Sequence, residues 1–241
     1  MRKKAIFNWS GGKDSALALH QVLQGDEYEV GKLLTSVNTH HKRVSMHGVR
    51  ETLLEQQAAS IGIPLEKLQL PENPDMDHYN KMMHDIMFKL RKEGFTHSVF
   101  GDIFLEDLRQ YREERLAQQG FSAHFPIWKQ DTKALIRQFL ALGFKTVLVC
   151  IKSALLDKSF AGRIIDEQFL KDLPENVDPC GENGEFHTFV FDGPIFRHPI
   201  PFEIGEKVYR EYEAPKSKNK DDKTAEPQAP MGFWFCDLLP G

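Results

Sequence analysis

The chain has 241 residues, 41% hydrophobic and 27% charged, with a formal net charge of −4; it can bury a full core, has an ordinary globular composition, and has no overall basic field to attract nucleic acid. Cys150, Cys180 and Cys236 are widely spaced with no Cys-x-x-Cys pair, which argues against a disulfide framework and a zinc site. No stretch approaches the ~18 apolar residues of a membrane span, and the apolar run behind Met1-Arg2-Lys3-Lys4 is too short for a signal peptide, so no membrane partner is expected and the cytoplasm is the expected compartment.

Residues 4–9 read as a strand, and residues 14–24 as a helix stopped at Gly25. A strand follows at 30–37, then a helix at 49–61 closed by Gly62 and Pro64. Residues 65–70 form a short apolar run. The next helix carries Met82, Met83, Ile86, Met87 and Leu90 on one face and ends at Gly94. Residues 97–100 form a strand that runs into Gly101-Asp102. A charged helix at 108–119, a brief strand at 123–126, a helix at 132–142 and a β-branched strand at 146–151 follow. This alternation predicts an α/β fold, a parallel sheet with helices on both faces. Past residue 151 the pattern changes. Residues 164–173 read as a short helix, Asn183-Gly184 as a hairpin turn, 186–191 as an alternating strand, and Asp192-Gly193-Pro194 as a further turn. The polar stretch 216–230 reads as a solvated loop, and its acidic residues offset its lysines, which argues against a basic nucleic-acid arm. Phe233-Trp234-Phe235 returns as a strand onto a smaller second domain.

The most informative string is Ser10-Gly11-Gly12-Lys13-Asp14-Ser15. It lies between the first strand and the first helix, where open α/β sheets bind ligands beyond the carboxyl ends of their strands. Such a turn aims backbone N–H groups and a helix N-terminus at one spot, which suits an anion. Adjacent glycines allow close backbone approach, Lys13 brings a positive charge, and Ser10 and Ser15 bring hydroxyls. It is not a Walker A loop, because Phe7 stands where the first Gly is needed and Asp14 follows the lysine. The string resembles the SGGxDS pyrophosphate loop, or PP-loop, of ATP pyrophosphatases, which cleave ATP between the α and β phosphates.

Two further clusters stand out. Asp102 falls at the carboxyl end of a strand, where a carboxylate holds Mg²⁺, contacts a substrate, or simply caps the next helix. Arg109, Arg112 and Glu114 follow on a charged helix, where Arg112 and Glu114, taken alone, read first as surface charge. Glu182 and Glu185 flank the Asn183-Gly184 turn, so both can face one side, and His187-Thr188 follow. Cys180 reads as a small buried thiol rather than a nucleophile. His40, His41 and His47 fit no common metal-ligand spacing. The segment Ser45-Met46-His47-Gly48 follows the second strand, as a nucleotide contact or a plain β–α loop.

Taken in order, the SGGKDS loop, Met46-His47, Val99-Phe100-Gly101-Asp102-Ile103, Arg112-x-Glu114, Pro126-Ile127-Trp128 and the CGENGEFHT string resemble the diphthine–ammonia ligase family over nearly the whole chain. The resemblance implies a PP-loop adenine nucleotide α-hydrolase domain over residues 1–145 and a smaller mixed α/β domain over 146–241. It implies ATP on Ser10, Gly11, Gly12, Lys13, Asp14 and Ser15, with Ser36, His47 and Gly101 beside it, and Mg²⁺ on Asp14 and Asp102. Lys13, Asp14, Asp102, Glu182 and Glu185 take catalytic roles. Arg112, Glu114, Glu182, Glu185 and His187 meet the acceptor. The implied reaction is amidation: an acceptor carboxylate attacks the α-phosphate, pyrophosphate leaves, and ammonia displaces AMP. In the family the acceptor is diphthine on elongation factor 2, a substrate of archaea and eukaryotes. No glutaminase domain is recognised, so free ammonia is the expected nitrogen source.

Two other readings compete. A tRNA-thiolating PP-loop enzyme needs paired catalytic cysteines, which the scattered thiols do not supply, and a tRNA substrate favours a strong basic patch. A non-catalytic nucleotide-binding module resembling the universal stress proteins would lack the lysine–aspartate loop and the GENGE string.

Overall fold

The computed structural model describes residues 1–44, 48–72, 75–212 and 230–241. The elements run β1 (Lys3–Asn8), α1 (Lys13–Gln24), β2 (Tyr28–Asn38), β3 (Arg43–Val44), α2 (Glu51–Ile61), β4 (Leu65–Leu70), α3 (Met76–Lys92), β5 (His97–Val99), α4 (Glu106–Ala117) and β6 (Ser122–His124). They continue with α5 (Thr132–Ala141), β7 (Lys145–Lys152), α6 (Glu167–Asp172), β8 (Phe186–Asp192), β9 (Phe202–Tyr212) and β10 (Met231–Pro240).

The first sheet is α/β as expected. β4, β2, β1, β5 and β6 pair in parallel in that order, and β3 adds a short antiparallel pairing to the end of β2. The chain steps outward from β1 through α1 and α2, then returns through α3 and α4 on the other side of β1. Right-handed crossovers require that a reversal of direction change the face on which the helices lie. The core follows this rule. Ala5, Phe7 and Trp9 join the cluster that includes Leu17 of α1 and Leu53 of α2, while Ile6 joins the one that includes Met87 and Leu90 of α3 and Leu116 of α4. Both faces of β1 are buried, so its middle is an unbroken apolar run. The direction switches between β1 and β5, whose carboxyl ends therefore border the crevice.

The second sheet is antiparallel, in the order β8-β7-β10-β9. Its Val147, Phe189 and Cys236 belong to the same buried cluster as Phe7 and Leu17, so both sheets share a core. Polar ties reinforce the junction: Arg43 and Arg50 clasp Asp237 of β10, and Ser60 of α2 exchanges hydrogen bonds with the backbone of His198.

Several expectations need revision. Asn183-Gly184 forms a turn but no hairpin, since the strand after it pairs with β7, which ends at Lys152. The expected helix at 164–173 is only Glu167–Asp172, where Asp166 caps it through Phe169 N–H. β9 has no counterpart in the sequence reading. Glu203, Glu206, Lys207 and Arg210 interrupt its apolar residues, and it lies at the edge of the sheet largely exposed. Phe233–Phe235 is indeed part of a strand, β10, which is longer than expected. Nearly all of the predicted loop at 216–230, and Ser45, Met46 and His47, lie outside the described residues. Among the described residues no helix is long and apolar enough to cross a membrane.

Candidate functional site

β1 delivers its carboxyl end to the crevice and is fastened there. Asn8 Nδ2 donates to Ser98 Oγ at 2.8 Å and to Val99 O at 2.9 Å, locking β1 to β5. The chain then turns at Gly11, whose φ of +80° favours glycine. Gly12 is the extended N-cap of α1 and supplies no side-chain cap, unlike the aspartates Asp75 and Asp131 that cap α3 and α5. Inside the loop, Ser10 Oγ accepts from Gly12 N–H at 3.3 Å and donates to Ser15 Oγ at 3.0 Å. Ser15 Oγ donates to Gly12 O at 2.9 Å. The hydroxyls of both serines thus line the turn.

Lys13 is buried, and its ammonium lies 2.6 Å from both oxygens of Asp14. Burial lowers its pKa, but the Asp14 carboxylate reverses the balance, and the net shift is upward. Lys13 therefore remains a cation. A buried cation is stable only with compensating charge, which here comes from Asp14 and Glu182.

Gly101 sits where β5 meets this loop. A Cβ there would lie 2.9 Å from Ser15 N and 3.0 Å from Asp14 C and O. Its lack of a side chain lets the strand end touch the first turn of α1. Next in the chain, Asp102 pairs with Arg112 of α4, whose guanidinium stacks 4.3 Å over the Phe100 ring. Burial raises the Asp102 pKa, the Asp14 charge adds to the rise, and Arg112 opposes it. Arg112 and Glu114 part company: residues two apart on a helix face different ways. Glu114 is exposed and accepts from Gln110 at 2.9 Å, away from Asp102.

The second domain comes directly against the loop. Val190 N–H of β8 donates to Gly11 O at 2.9 Å, and Lys13 N–H donates to Thr188 Oγ1 at 3.0 Å. Glu182 is pushed up to about 7 by burial, with the Asp14 charge adding to the shift and Lys13 opposing it. Glu185 turns inward instead. It is buried, accepts from Asn183 N–H at 2.8 Å and Asp178 N–H at 3.1 Å, and so holds the turn together. The two glutamates thus do not present themselves to one side as expected. Cys180 is a buried thiol pushed up to about 12 by burial, and it donates to Thr132 O at 3.4 Å. His187 is half-buried at the start of β8, level with Cys150. Ser36, near the end of β2, is half-buried.

The structure thus draws Lys13, Asp14, Asp102 and Glu182 into one electrostatic cluster with Arg112, and leaves Glu114 outside it. Sequence reasoning missed Gln57, a polar side chain among the apolar residues of α2, and Asp178, whose carboxylate accepts from Cys180 N–H at 2.8 Å and Thr132 Oγ1 at 2.7 Å. The signal for Gln57 was a polar residue at a core-facing helical position. His40, His41 and Glu72 place ligand atoms within 4.8 Å of one another, but all three are exposed. Two surface hollows, of about 440 and 250 Å³, lie away from the loop, the first against residues 62–65 and the second between Tyr28 and His124. Convergent charge marks the crevice as the site more strongly than volume does.

A glycine-serine loop with an adjoining lysine–aspartate pair, at the switch point of this parallel sheet, defines a PP-loop adenine nucleotide α-hydrolase fold with an added antiparallel domain. Residues 2–121 match the family model of the diphthamide synthase N-terminal domain, and residues 131–219 that of the C-terminal domain. The chain belongs to the diphthamide synthase family. It is similar to proteins named diphthine–ammonia ligase. The one from Schizosaccharomyces pombe is 25% identical over 214 residues, which cover 79% of this chain and 34% of that protein. The one from Danio rerio is 26% identical over 132 residues, 52% of each chain. The one from Mus musculus is 23% identical over 237 residues, 89% of this chain and 87% of the other. The chain thus spans about a third of the yeast relative and about half of the zebrafish one.

Proposed function

We propose that this protein is an ATP-dependent ligase that activates an acceptor carboxylate at the α-phosphate, releases pyrophosphate and joins ammonia to form an amide. The observation that carries this reading is the gathering of Lys13, Asp14, Asp102 and Glu182, from three segments of the chain, around a helix N-terminus whose own N-cap, Gly12, has no side chain to cap it. The name of the relatives, diphthine–ammonia ligase, supports diphthine as the acceptor and ammonia as the nitrogen source. The family also supports ATP use. The proposed domains are 1–145, which binds ATP, and 146–241, which carries the GENGE turn.

Each residue has a chemical task. Ser10, Gly11, Gly12 and Ser15 bind the phosphates through N–H and hydroxyl groups. Lys13 leaves Asp14 and offsets the negative charge that develops as pyrophosphate departs. Ser36, Gly101 and His47 border the nucleotide, His47 on its place in the sequence alone. Asp14 and Asp102 offer the hard carboxylate oxygens that Mg²⁺ prefers, and the Asp14 charge already disfavours ionisation of Asp102, a repulsion that a divalent cation relieves. When bound, Mg²⁺ supplies charge neutralisation at the phosphates. Glu182, with a pKa of about 7, is matched to taking a proton from the incoming nitrogen. Arg112 and His187 border the acceptor, Glu185 keeps the turn in shape, and Glu114 contributes at most from the rim.

The test is product analysis by chromatography, with ATP, ammonium and a diphthine-bearing acceptor. AMP and pyrophosphate, formed only with acceptor present, support the reading. ADP and phosphate overturn it, and nucleotide binding without turnover reduces the protein to a binding module.

A further inference from the structure

Gln57 does more in the site than its place on α2 suggests. Its side chain is completely buried, yet each of its amide's polar atoms is used. Oε1 accepts from Trp9 Nε1 at 3.0 Å. Nε2 donates to Gly11 O at 3.0 Å and to Val190 O at 2.6 Å. One amide therefore joins the end of β1, the glycine turn and the second domain's β8. Gly11 O receives a second donor, Val190 N–H at 2.9 Å, so both of its lone pairs are engaged.

That pinning has a direct consequence for the loop. In a trans peptide the carbonyl and the following N–H point in opposite directions. Holding Gly11 O against Gln57 and β8 turns Gly12 N–H the other way, into the loop, where Ser10 Oγ now accepts it. A Cβ on Gly11 would lie 2.8 Å from Gln57 Oε1, so the amide in this position leaves no room for a side chain at residue 11.

We propose that Gln57 is a positioning residue of the nucleotide site, which sets the Gly11–Gly12 peptide so that its N–H faces the phosphates. The proposal rests on the nucleotide reading of the loop. Ser60, one turn further along α2, provides the contrast. It too is fully buried and ties α2 to the second domain, through His198, but it does not touch the loop.

The experiment titrates the wild type, Gln57→Met and Ser60→Ala with α,β-methylene-ATP by calorimetry, and records the Tm of each. Gln57→Met keeps length and removes every hydrogen bond. The expected result is binding by the wild type, at least a tenfold weaker Kd for Gln57→Met, and an unchanged Kd for Ser60→Ala although its Tm falls. If Gln57→Met does not fold, Gln57→Asn, which keeps the amide but falls short of the loop, is read by the same titration with the same expectation. Wild-type affinity in the Gln57 variant, or equal weakening in Ser60→Ala, overturns the positioning role while the nucleotide reading stands. No binding by the wild type overturns both.

Discussion

Gly101→Ala probes the junction between β5 and the PP-loop with one methyl group. The glycine needs no special backbone conformation, because its φ is not among the positive ones, so the effect is steric alone. The added Cβ would stand 2.9 Å from Ser15 N and 3.0 Å from Asp14 C and O. These are backbone atoms and cannot rotate away. Ordinary contact requires the first turn of α1 to retreat by roughly 0.5–1 Å, and overpacking of this kind costs about 1–3 kcal/mol. For a domain of this size each kcal/mol lowers Tm by roughly 2–4 °C, so a fall of about 2–12 °C is expected. The retreating residues include Asp14 and Ser15, so nucleotide binding should suffer as well, and displacement of a site by ~1 Å can cost ~10²-fold in turnover. Calorimetric melting and α,β-methylene-ATP titration measure the two effects. Gly143→Ala is the control: its φ is +81° and nothing lies within 4 Å of the new Cβ, so it should lose stability through backbone strain and keep nucleotide affinity. A Gly101→Ala protein with unchanged Tm and unchanged affinity would refute the packing argument.

Three further outcomes follow from the same geometry. Lys13→Ala should lower acceptor-dependent pyrophosphate release by ~10²-fold or more, as for loss of one charge-stabilising group, and should lower Tm as well because its buried partners lose their counter-charge; a rate within twofold of wild type would exclude Lys13 from the chemistry. Glu182 ionises near 7, so at fixed free ammonia the rate should rise with pH through about 7, and Glu182→Gln should lower the rate and erase that limb; an unchanged profile in the variant would assign the proton transfer elsewhere. Burial alone would raise the Asp237 pKa, but hydrogen bonds from Arg50 and Arg43 outweigh it and bring it to about 2. A carboxyl depressed in the folded state contributes stability that is present above its unfolded pKa and lost as pH falls, here between about 4 and 2. With a discount for solvent screening the contribution is roughly 1 kcal/mol, so Asp237→Asn should lower Tm by a few degrees at pH 7 and flatten the acid limb of the stability curve, as measured by thermal melts across pH.

Much of the fold was legible because it is written in local patterns. The glycines between β1 and α1, the apolar run of β1 and the alternation through β6 each follow from backbone freedom and hydrophobic periodicity. β9 was harder to read: Phe202, Ile204, Val208 and Tyr212 do keep a two-residue spacing, but Glu206 and Arg210 break that face and the strand lies exposed at the edge of its sheet. The site was legible where a motif names its residues, as with Lys13 and Asp14. It was not legible where geometry decides. Nothing in the string GENGE says that Glu182 faces the loop and Glu185 the interior, because that follows from the turn N–H groups that capture Glu185. Gln57 lies 46 residues from Gly11 in the chain, and only the packing of α2 on the loop reveals its hydrogen bonds.

On the proposed reading, ATP is bound at the PP-loop and split between its α and β phosphates to activate a carboxylate. The most direct measurement uses an acceptor whose carboxylate carries ¹⁸O, with ATP and ammonium, and mass spectrometry of the AMP released. Attack by the carboxylate on the α-phosphate transfers one ¹⁸O into AMP, and that is the predicted result. AMP without the label, or label in phosphate with ADP as the product, would rule out attack of the carboxylate on the α-phosphate.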